Sequence, residues 1–439
     1  METKKNLIKN VLLQLGNSTE AKYYLDQYKN SKQNKFAVVK VGGNVVETQL
    51  EKLVESITLL YYLGLTPIIL HGAGPQLDAE ILKRNMPVNK IDGLRVTNTE
   101  TIELMQPVVK DVHDKLCHAL SEAGVEIKSI FNEVFTCDFM NKDKYGFVGE
   151  IKFVNMSPIN DALEQQKIPV LSCLGRDDNG NVFNINADFA IRKLVWESNP
   201  EKVIFVTPTG GLLNENGQLI SAIQLGSEYD SLMNEPWLHS GMKLKIQQIY
   251  QLLKPMPRKL SVSITAATEL GKELFTHKGR GTFVSMGESI NQYDVIPANL
   301  KLKVISLLES TFKKKLKPDF LDSLDLESLF ISETAQALAI ITKGFNGKPY
   351  LNKFAVTPLA QGRGLGKAIW EKMLEYYPQL YWRSRSNNQI NSWYFRKSDC
   401  SCKHENWISF SIGMEHIESM QCMQKAHQYQ DSWEESAHV

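Results

Sequence analysis

The sequence predicts an α/β protein with two domains of unequal size, the first built on a mainly parallel sheet between helices. Strand-like and helix-like segments alternate from Phe36 onward, and a second alternation begins near Leu300. The segment between them, 285–297, shows no periodicity and is the best candidate for a linker. We therefore expect an N-terminal helical segment at 1–30, a first domain at 31–287, a linker at 288–297 and a second domain at 298–439.

In the first domain, the apolar residues of segment 7–28 follow a helical spacing that is interrupted once, which indicates two short helices or one broken helix. Apolar runs then predict strands at 36–41, 67–74, 126–130, 169–173 and 203–207, of which the first two end in glycine-rich turns. Amphipathic spacing predicts helices at 50–63, 75–83, 99–123, 187–197 and 241–253.

In the second domain, the same criteria predict helix 300–312, strands 337–342 and 350–356, helix 362–376 and strand 379–382. The residues from Met420 onward are polar and rich in His, Gln and Glu. For that end of the chain we expect fraying or disorder.

Composition excludes several classes of protein. Fifty Lys and Arg residues oppose 49 Asp and Glu, so the net charge of +1 gives no general attraction to nucleic acid or to anionic lipid. No apolar run approaches the roughly 20 residues of a membrane helix, and the N-terminal residues lack the pattern of a signal or transit peptide. Six cysteines in 439 residues do not make a disulfide framework. We expect a cytoplasmic protein that binds neither nucleic acid nor a membrane.

Two consecutive strands lead into turns suited to an anion. Lys40 precedes Gly42 and Gly43 after the first strand, and Gly72 and Gly74 follow the second. Glycines at such turns expose backbone N–H groups to a phosphate, and a lysine adds a point charge. Each turn alone is also explained as a tight strand–helix connection, whereas two on consecutive strands favour a phosphate cradle.

Further charged residues in the first domain fit phosphoryl transfer. Arg95 lies in a loop and suits bidentate binding of a carboxylate. Asp188 begins a predicted helix, where it is either functional or a plain N-cap, and Lys245 lies just inside another helix. Two lysines and an aspartate suffice for a reaction in which the protein mainly positions reactants and neutralises charge. A carboxylate acceptor is already ionised at pH 7 and needs no general base, so no histidine is required.

Five motifs, VVKVGGN (38–44), LHGAGPQLDAE (70–80), GLRVT (93–97), FNINAD (183–188) and TGGLL (209–213), resemble the acetylglutamate kinase branch of the amino-acid kinase family. The resemblance implies that Lys40 and Lys245 stabilise the transferring phosphoryl group and that Asp188 organises them. It also implies binding of ATP phosphates by the four glycines, with Gly72 reaching the substrate as well. Arg95 and Asn184 would hold N-acetylglutamate, and Mg²⁺ would enter with ATP.

A regulatory signature is suggested later in the same domain. Glu273, followed by Gly279 and Gly281, resembles the arginine-binding signature of feedback-inhibited members, and 3–28 resembles their N-terminal extension. The alternative is a structural turn beside a surface Glu. The resemblance implies L-arginine as an effector and a homo-oligomer, with a tetramer favoured.

In the second domain, a strand leads through Gln361, Gly362, Arg363, Gly364, Gly366 and Lys367 into a helix. Such a loop offers backbone N–H groups to a pyrophosphate. The pattern resembles the coenzyme A loop of the GNAT acetyltransferases, which implies acetyl-CoA as a substrate. A dinucleotide loop is the poorer alternative, because no acid ends a strand about 20 residues downstream.

The block 382–395 and the strand YLNKFAV (350–356) resemble the acetylglutamate synthase signature of vertebrate-like transferases. Arg383 and Arg385, at i and i+2 of a strand, share a face and suit a dicarboxylate. The resemblance implies that Lys353, Arg383, Arg385 and Asn391 hold glutamate. It also implies that Asn388, Asn391 and Tyr394 lie at the thioester, with Tyr394 the candidate acid for the departing thiolate and no Cys nucleophile.

The chain departs from this signature after Phe395. Arg396 is followed by Lys-Ser-Asp-Cys-Ser-Cys instead of Ser-x-Gly, which leaves the role of Arg396 in doubt. Cys400, Cys402 and His404, with Cys422 and His416 elsewhere, lack recognisable metal-ligand spacing, so we expect no metal site.

The sequence thus predicts a bifunctional enzyme that acetylates L-glutamate with acetyl-CoA and phosphorylates N-acetyl-L-glutamate with ATP. In a second hypothesis the first domain is a non-catalytic arginine sensor beside an active transferase. In a third, both domains are regulatory. The presence of Lys40, Asp188 and Lys245 argues against the second, and that of Arg383, Arg385 and Tyr394 against the third.

Overall fold

The computed structural model describes residues 36–238, 240–257, 260–275 and 280–434. The chain divides into two compact units between Gly287 and Glu288, each with its own hydrophobic core. The predicted N-terminal helical segment 1–30 lies outside the described residues.

The first unit contains fourteen strands within its described part. In chain order they are β1 Ala37–Val41, β2 Ile68–His71, β3 Lys90–Ile91, β4 Leu94–Arg95, β5 Ile127–Ile130, β6 Phe135–Phe139, β7 Gly149–Val154, β8 Ile168–Leu171, β9 Leu174–Arg176, β10 Val182–Asn184, β11 Lys202–Val206, β12 Ala222–Gln224, β13 Ser261–Thr265 and β14 Thr282–Ser285.

Eight of these strands form the main sheet, in the order β12-β14-β13-β11-β1-β2-β8-β5. Every neighbouring pair is parallel except β13 with β14, which confirms the predicted mainly parallel sheet. Side chains alternate between two cores. Val39 and Ile204 face one layer of helices, whereas Val38 and Phe205 face the other. Both faces of β1 are therefore buried, as parallel sheets require.

The described helices of this unit are α1 Gly43–Thr48, α2 Leu50–Tyr62, α3 Gly74–Lys83, α4 Thr99–Glu122, α5 Lys142–Tyr145, α6 Ser157–Glu164, α7 Ala187–Ser198, α8 Leu225–Met233, α9 Ser240–Leu253 and α10 Leu270–Phe275. The five helices predicted from spacing all form. A smaller sheet, in the order β10-β9-β6-β7, and the hairpin of β3 with β4 complete the unit.

The second unit has one sheet, in the order β15-β16-β17-β18-β19-β21-β20. Its strands are β15 Ile290–Tyr293, β16 Leu326–Ser332, β17 Ala337–Lys343, β18 Pro349–Val356, β19 Leu380–Arg385, β20 Cys400–His404 and β21 Trp407–Ile412. Its helices are α11 Ala298–Phe312, α12 Leu365–Tyr376, α13 Asn391–Lys397 and α14 His416–His427. Its neighbouring strands are antiparallel except β18 with β19.

Two predictions about this unit are wrong. The linker 288–297 contains β15, an edge strand that pairs with β16 and is only partly buried, so it lacks an apolar signature. Residues beyond Met420 are not frayed as predicted, because they continue α14 to His427, and this helix buries Ser419, Cys422, Met423 and Ala426.

The central strands should carry much of the stability of the first unit. Ile204 is completely buried in β11, so Ile204→Ala should lower the free energy of unfolding of that unit by about 2–5 kcal/mol. The change is measurable by chemical denaturation. Leu82→Ala is the control, because Leu82 is 63% exposed on α3 and its loss should change stability by less than about 0.5 kcal/mol. Equal losses in the two variants would contradict the assignment of the core.

Candidate active sites

The carboxyl end of the main sheet gathers the three charged residues predicted for phosphoryl transfer. Lys40 lies in β1, Asp188 in the first turn of α7 and Lys245 in α9. Lys40 Nζ is 3.2 Å from Asp188 Oδ1, and both side chains are largely buried. Lys40 Nζ and Lys245 Nζ lie 5.7 and 5.6 Å from the centroid of the Phe205 ring. Both cations therefore lie close to one aromatic ring, and the anion pairs with Lys40.

Asp188 is available to these lysines because another residue caps its helix. The side chain of Asn186 accepts a hydrogen bond from the backbone N–H of Asp188 at 2.8 Å. The N-cap is thus Asn186, and the alternative in which Asp188 itself is the plain cap is wrong. The carboxylate of Asp188 instead lies against Lys40.

Burial and charge act in opposite directions on this cluster. Burial raises the pKa of Asp188, but the charges of Lys40 and Lys245 outweigh it and the pKa falls below its usual value. Burial and the charge of Lys40 lower the pKa of Lys245 to about 8, against the opposing effect of Asp188. The cluster therefore carries a partly compensated positive charge, which an anion stabilises.

The glycine turns lie beside the same end of the sheet. Gly42 is the N-cap of α1, and a Cβ on Gly43 would lie 2.6 Å from Gln76 Oε1 and 3.0 Å from the carbonyl oxygen of Gly72. The first turn is therefore packed against the second through a contact that excludes a side chain. A Cβ on Gly74 would meet no atom within 4 Å, so the start of α3 faces open space.

Arg95 and Asn184 belong to one hydrogen-bonded group. The Asn184 side chain donates to Thr97 Oγ1 at 2.9 Å, and that hydroxyl donates to the carbonyl oxygen of Arg95 at 3.0 Å. The Arg95 guanidinium is 9% exposed and pairs with Asp78 of α3. Arg95 Nη1 is buried and has no hydrogen-bond partner within the described residues. A donor held in this way suits an anionic ligand.

A histidine pair beneath the second glycine turn was missed by sequence reasoning. His71 Nε2 lies 2.9 Å from His113 Nδ1, and His113 Nε2 lies 2.8 Å from Ser129 Oγ. Burial and the neighbouring His113 lower the pKa of His71 to about 3, and burial lowers that of His113 to about 4. Both rings are therefore neutral at pH 7 and link β2, α4 and β5. No periodicity signals a contact between positions 42 residues apart.

In the second unit, the predicted coenzyme A loop contains positive φ angles at two of its glycines. Gly362 and Gly364 have φ values of 79° and 81°, which favour glycine, and Gly364 is the N-cap of α12. A Cβ on Gly366 would lie 3.3 Å from Val356 Cγ2 of β18, so the helix starts close against the strand. The first-turn N–H groups of α12 lack intrahelical acceptors and form a potential pyrophosphate site.

Three polar side chains accompany this loop. Gln361 and Lys367 are exposed, and Arg363 is half-buried. Lys367 Nζ lies 3.8 Å from Glu371 one turn further along α12. Positive charge therefore lies at the helix N-terminus.

The strands β18 and β19 separate next to this loop. Their parallel pairing is limited to Tyr350 with Tyr381 and Leu351 with Trp382, although β18 continues to Val356. On its other edge, β18 carries a register shift against β17 at the same level, between Lys353 and Leu351. The unpaired part of the two strands opens a gap in the sheet.

Tyr394 lies in an aromatic cluster at this level of the second unit. Its ring centroid is 5.4 Å from that of Trp382, 5.5 Å from that of Phe410 and 6.5 Å from that of Phe354. Burial raises the pKa of Tyr394 above its ordinary value. The phenol therefore keeps its proton at pH 7, as a proton donor must.

The two predicted asparagines make hydrogen bonds within residues 384–391. Asn388 donates to Ser384 Oγ at 3.1 Å. Asn391, the first residue of α13, donates to the carbonyl oxygens of Arg385 and Ser386 at 2.8 and 3.2 Å. Asn391 Oδ1 is buried without a hydrogen-bond partner among the described residues, which leaves one acceptor open.

The three cations predicted to hold glutamate are all contacted by residues 426–433, which we call the C-terminal segment. Lys353 bonds to Ser432, Arg383 to carbonyl oxygens of the segment, and Arg385 to Asp431. Both guanidinium groups also stack on one ring, that of Trp407, so Arg383 and Arg385 share a face as predicted. The segment is polar and aperiodic, and its composition predicted only fraying or disorder.

At the predicted regulatory signature, Glu273 bonds to its own turn. One carboxylate oxygen accepts hydrogen bonds from the backbone N–H groups of Arg280 and Gly281 at 2.8 and 3.1 Å. A Cβ on Gly281 would lie 2.1 Å from the carbonyl oxygen of Ile264, so this glycine has a packing role. Gly279 lies outside the described residues.

The cysteine-containing residues that depart from the synthase signature form an edge strand. Cys400 and Cys402 lie on β20, and Arg396 is exposed on α13. Among the described residues, no cluster of three His, Cys, Asp or Glu side chains could hold a metal ion. The same residues include no helix that is long and apolar enough to cross a bilayer.

Comparison with family models matches both units. Residues 35–262 match the amino acid kinase family, and residues 293–429 match the N-acetyltransferase of N-acetylglutamate synthase.

Comparison with individual proteins gives matches that span both units. An acetylglutamate kinase of Xanthomonas campestris pv. campestris is 44% identical over 414 residues, covering 93% of this chain and 96% of its own length. The mitochondrial N-acetylglutamate synthase of Danio rerio is 28% identical over 431 residues, covering 95% and 79% respectively. A crystal structure of N-acetylglutamate synthase from Neisseria gonorrhoeae, complexed with coenzyme A and L-arginine, has a TM-score of 0.62 at 18% identity. It covers 92% of this chain and 95% of its own, and it shows a shared fold.

The charge cluster predicts an unusual lysine. Lys245 should titrate near pH 8 in the free protein, as measured by NMR of ¹³C-methylated lysines. Asp188→Asn should lower that value further, because the variant lacks the anion that favours the ammonium form. Lys245→Arg identifies the resonance by its absence. A Lys245 signal that titrates above pH 10 would contradict the burial and the proximity of Lys40.

Proposed function

The chain belongs to the amino acid kinase family and carries an N-acetyltransferase domain of the N-acetylglutamate synthase type, and we propose that it is a bifunctional enzyme of arginine biosynthesis. The second unit would acetylate L-glutamate, and the first would phosphorylate the product. The observation that supports the kinase activity is the buried cluster of Lys40, Asp188 and Lys245.

In the kinase step, a carboxylate oxygen of N-acetyl-L-glutamate attacks the γ-phosphorus of ATP. The bond to the β-phosphate oxygen breaks, and ADP leaves. Lys40 and Lys245 neutralise charge on the transferring group, and Asp188 fixes the lysines. The acceptor is already ionised, so no residue removes a proton.

The substrates of the kinase step are held by neighbouring groups. Gly42, Gly43, Gly72 and Gly74 would approach the phosphates, and Gly72 the acceptor. Arg95, with its unpaired Nη1, and Asn184 would bind N-acetyl-L-glutamate. Mg²⁺ would arrive bound to ATP, since the described residues offer no cluster of three acidic or imidazole ligands.

In the transferase step, the neutral amine of L-glutamate attacks the thioester carbonyl of acetyl-CoA directly. The C–N bond forms, the C–S bond breaks, and water takes the amine proton. The loop 361–367 would bind the pyrophosphate of coenzyme A. Tyr394, protonated and buried, would supply a proton to the departing thiolate, with Asn388 and Asn391 nearby.

We also propose regulation by L-arginine and assembly as a homotetramer. Glu273 uses one carboxylate oxygen for its own turn, which leaves the other for a guanidinium. The same hydrogen bonds also fit the purely structural alternative. A chain whose first unit is only an arginine sensor would not need the three charged residues of the kinase cluster.

The two activities should separate by mutation. Lys245→Ala should abolish ADP formation from ATP and N-acetyl-L-glutamate while sparing thiol release from acetyl-CoA and L-glutamate. Tyr394→Phe should reduce thiol release by about 10²–10⁴-fold and spare ADP formation, as expected for loss of a general acid. Thiol release without any ADP formation by the wild-type chain would favour the sensor hypothesis. Loss of both activities in either variant would contradict independent sites.

Arginine regulation can be separated from the structural role of Glu273. Glu273→Gln keeps an oxygen for the backbone N–H groups of Arg280 and Gly281 but has no charge for a guanidinium. The variant should therefore keep both activities and lose the response to L-arginine, measured by titrating arginine in each assay. Glu215→Gln, an exposed change in the same unit, is the control. No effect of millimolar arginine on the wild-type chain would retire this assignment.

A further inference from the structure

We propose that the C-terminal segment forms part of the acceptor site of the second unit and that Asp431 binds the α-ammonium group of L-glutamate. This inference rests on the proposed transferase function. It also changes the roles of two predicted glutamate ligands, Arg383 and Lys353, which become anchors of the segment.

Arg383 is occupied by the main chain of the segment. Its Nη1 donates to the carbonyl oxygens of Ala426 and His427 at 3.0 and 3.2 Å, and its Nη2 donates to that of Gln430 at 3.2 Å. Ala426 and His427 are the last two residues of α14, and Gln430 lies beyond its end. Arg383 therefore fixes the direction in which the chain leaves α14.

Lys353 is likewise saturated. Its ammonium group has three N–H donors. Its Nζ lies 3.3 Å from the carbonyl oxygen of Asn352, 2.8 Å from Asn352 Oδ1 and 2.8 Å from Ser432 Oγ. Burial and the charge of Arg383 lower the pKa of Lys353 to about 7, while Asp431 acts in the opposite direction. Lys353 thus holds the segment two residues beyond the carbonyl groups that Arg383 binds.

The far end of the segment is fixed independently. The Lys317 N–H donates to the carbonyl oxygen of Ser432 at 3.1 Å, and the Glu434 N–H donates to that of Lys315 at 3.0 Å. The Trp433 ring packs 5.0 Å from that of Phe312 in α11. Asp431 is therefore held between two attachment points.

Asp431 and Arg385 form the accessible part of the arrangement. Arg385 Nη2 lies 2.8 Å from Asp431 Oδ2, and the two side chains are 43% and 42% exposed. Arg385 Cζ also lies 3.9 Å from the centroid of the Trp407 ring, a cation–π contact that restrains the guanidinium. A guanidinium has five donors, so Arg385 can bind a substrate carboxylate while it keeps its bond to Asp431.

The charge of the acceptor favours this assignment. L-glutamate carries two carboxylates and one ammonium group, whereas the predicted glutamate ligands are cations and an amide. Of these residues Arg385 keeps donors for a carboxylate, and none of them offers the ammonium group a counter-charge. Asp431 supplies an anion in contact with Arg385, so adjacent groups of the site match adjacent groups of the amino acid.

Asp431→Asn tests the proposal. The variant keeps the shape and the acceptor oxygen of the side chain but not its charge. We expect the KM for L-glutamate to rise about tenfold or more, with the KM for acetyl-CoA unchanged, because a charge-assisted hydrogen bond is lost. Inhibition by glutarate, which has both carboxylates but no amine, should be unchanged or stronger. Glu434→Gln, an acid three residues further on, is the matched control.

The outcomes separate this inference from its alternatives. An unchanged KM for L-glutamate would overturn it. Glutarate inhibition that weakens in parallel with glutamate binding would also overturn it, because the substitution would then have disturbed the site structurally. A lower KM would overturn it in favour of a segment that competes with glutamate. If the wild-type chain releases no thiol from acetyl-CoA and L-glutamate, the proposed function fails. The ammonium site is then tested separately by calorimetry, in which L-glutamate and glutarate are bound to the wild type and to Asp431→Asn with coenzyme A present. Weaker binding of L-glutamate alone in the variant would support the ammonium site.

Discussion

The first unit depends on the burial of one charged group in a strand. Lys40 lies in β1 between two other strands of a sheet that is covered on both faces, and a buried ammonium group costs several kcal/mol unless it is paired. Its counter-charge comes from Asp188, whose position is set by the start of α7. The cap by Asn186, the turn after β10 and the packing of α7 over the sheet therefore all serve one ion pair.

Lys245 makes this pair more than a structural contact. It adds a second cation to a site with one anion, so the cluster is neutral only when a further negative group arrives. A transferring phosphoryl group meets that need. The second unit compensates its cations differently, because Arg383 and Lys353 are bound largely by uncharged oxygens of the chain itself. The solvent-exposed charged groups of that cluster are Arg385 and Asp431.

The sequence predicted the parts that local pattern determines. The β1 run, the glycine turns and the coenzyme A loop follow from apolar periodicity and from backbone that glycine favours, and the α/β class followed from their alternation. The shared face of Arg383 and Arg385 followed from the two-residue period of a strand. Their acceptors could not be predicted, because Arg383 binds main-chain carbonyl groups and Arg385 binds the carboxylate of Asp431. All of these lie more than 40 residues away and have no sequence signature. The pairing of His71 with His113 and the edge strand β15 were missed for the same reason, since distant contacts define both.

The anchoring of the C-terminal segment through main-chain carbonyl groups has an evolutionary consequence. Arg383 contacts backbone oxygens at three positions and no side chain there, so its bonds do not restrict which residues stand at 426, 427 and 430. Identity is restricted there by other contacts, because Ala426 is fully buried and the His427 ring is hydrogen-bonded to Ser409. The number of residues between the three positions cannot vary, because an insertion or deletion would move Asp431 and Ser432 out of register with Arg385 and Lys353. For the bonds to Arg383, spacing therefore matters more than residue identity, and an alignment scored by residue similarity would undervalue that requirement.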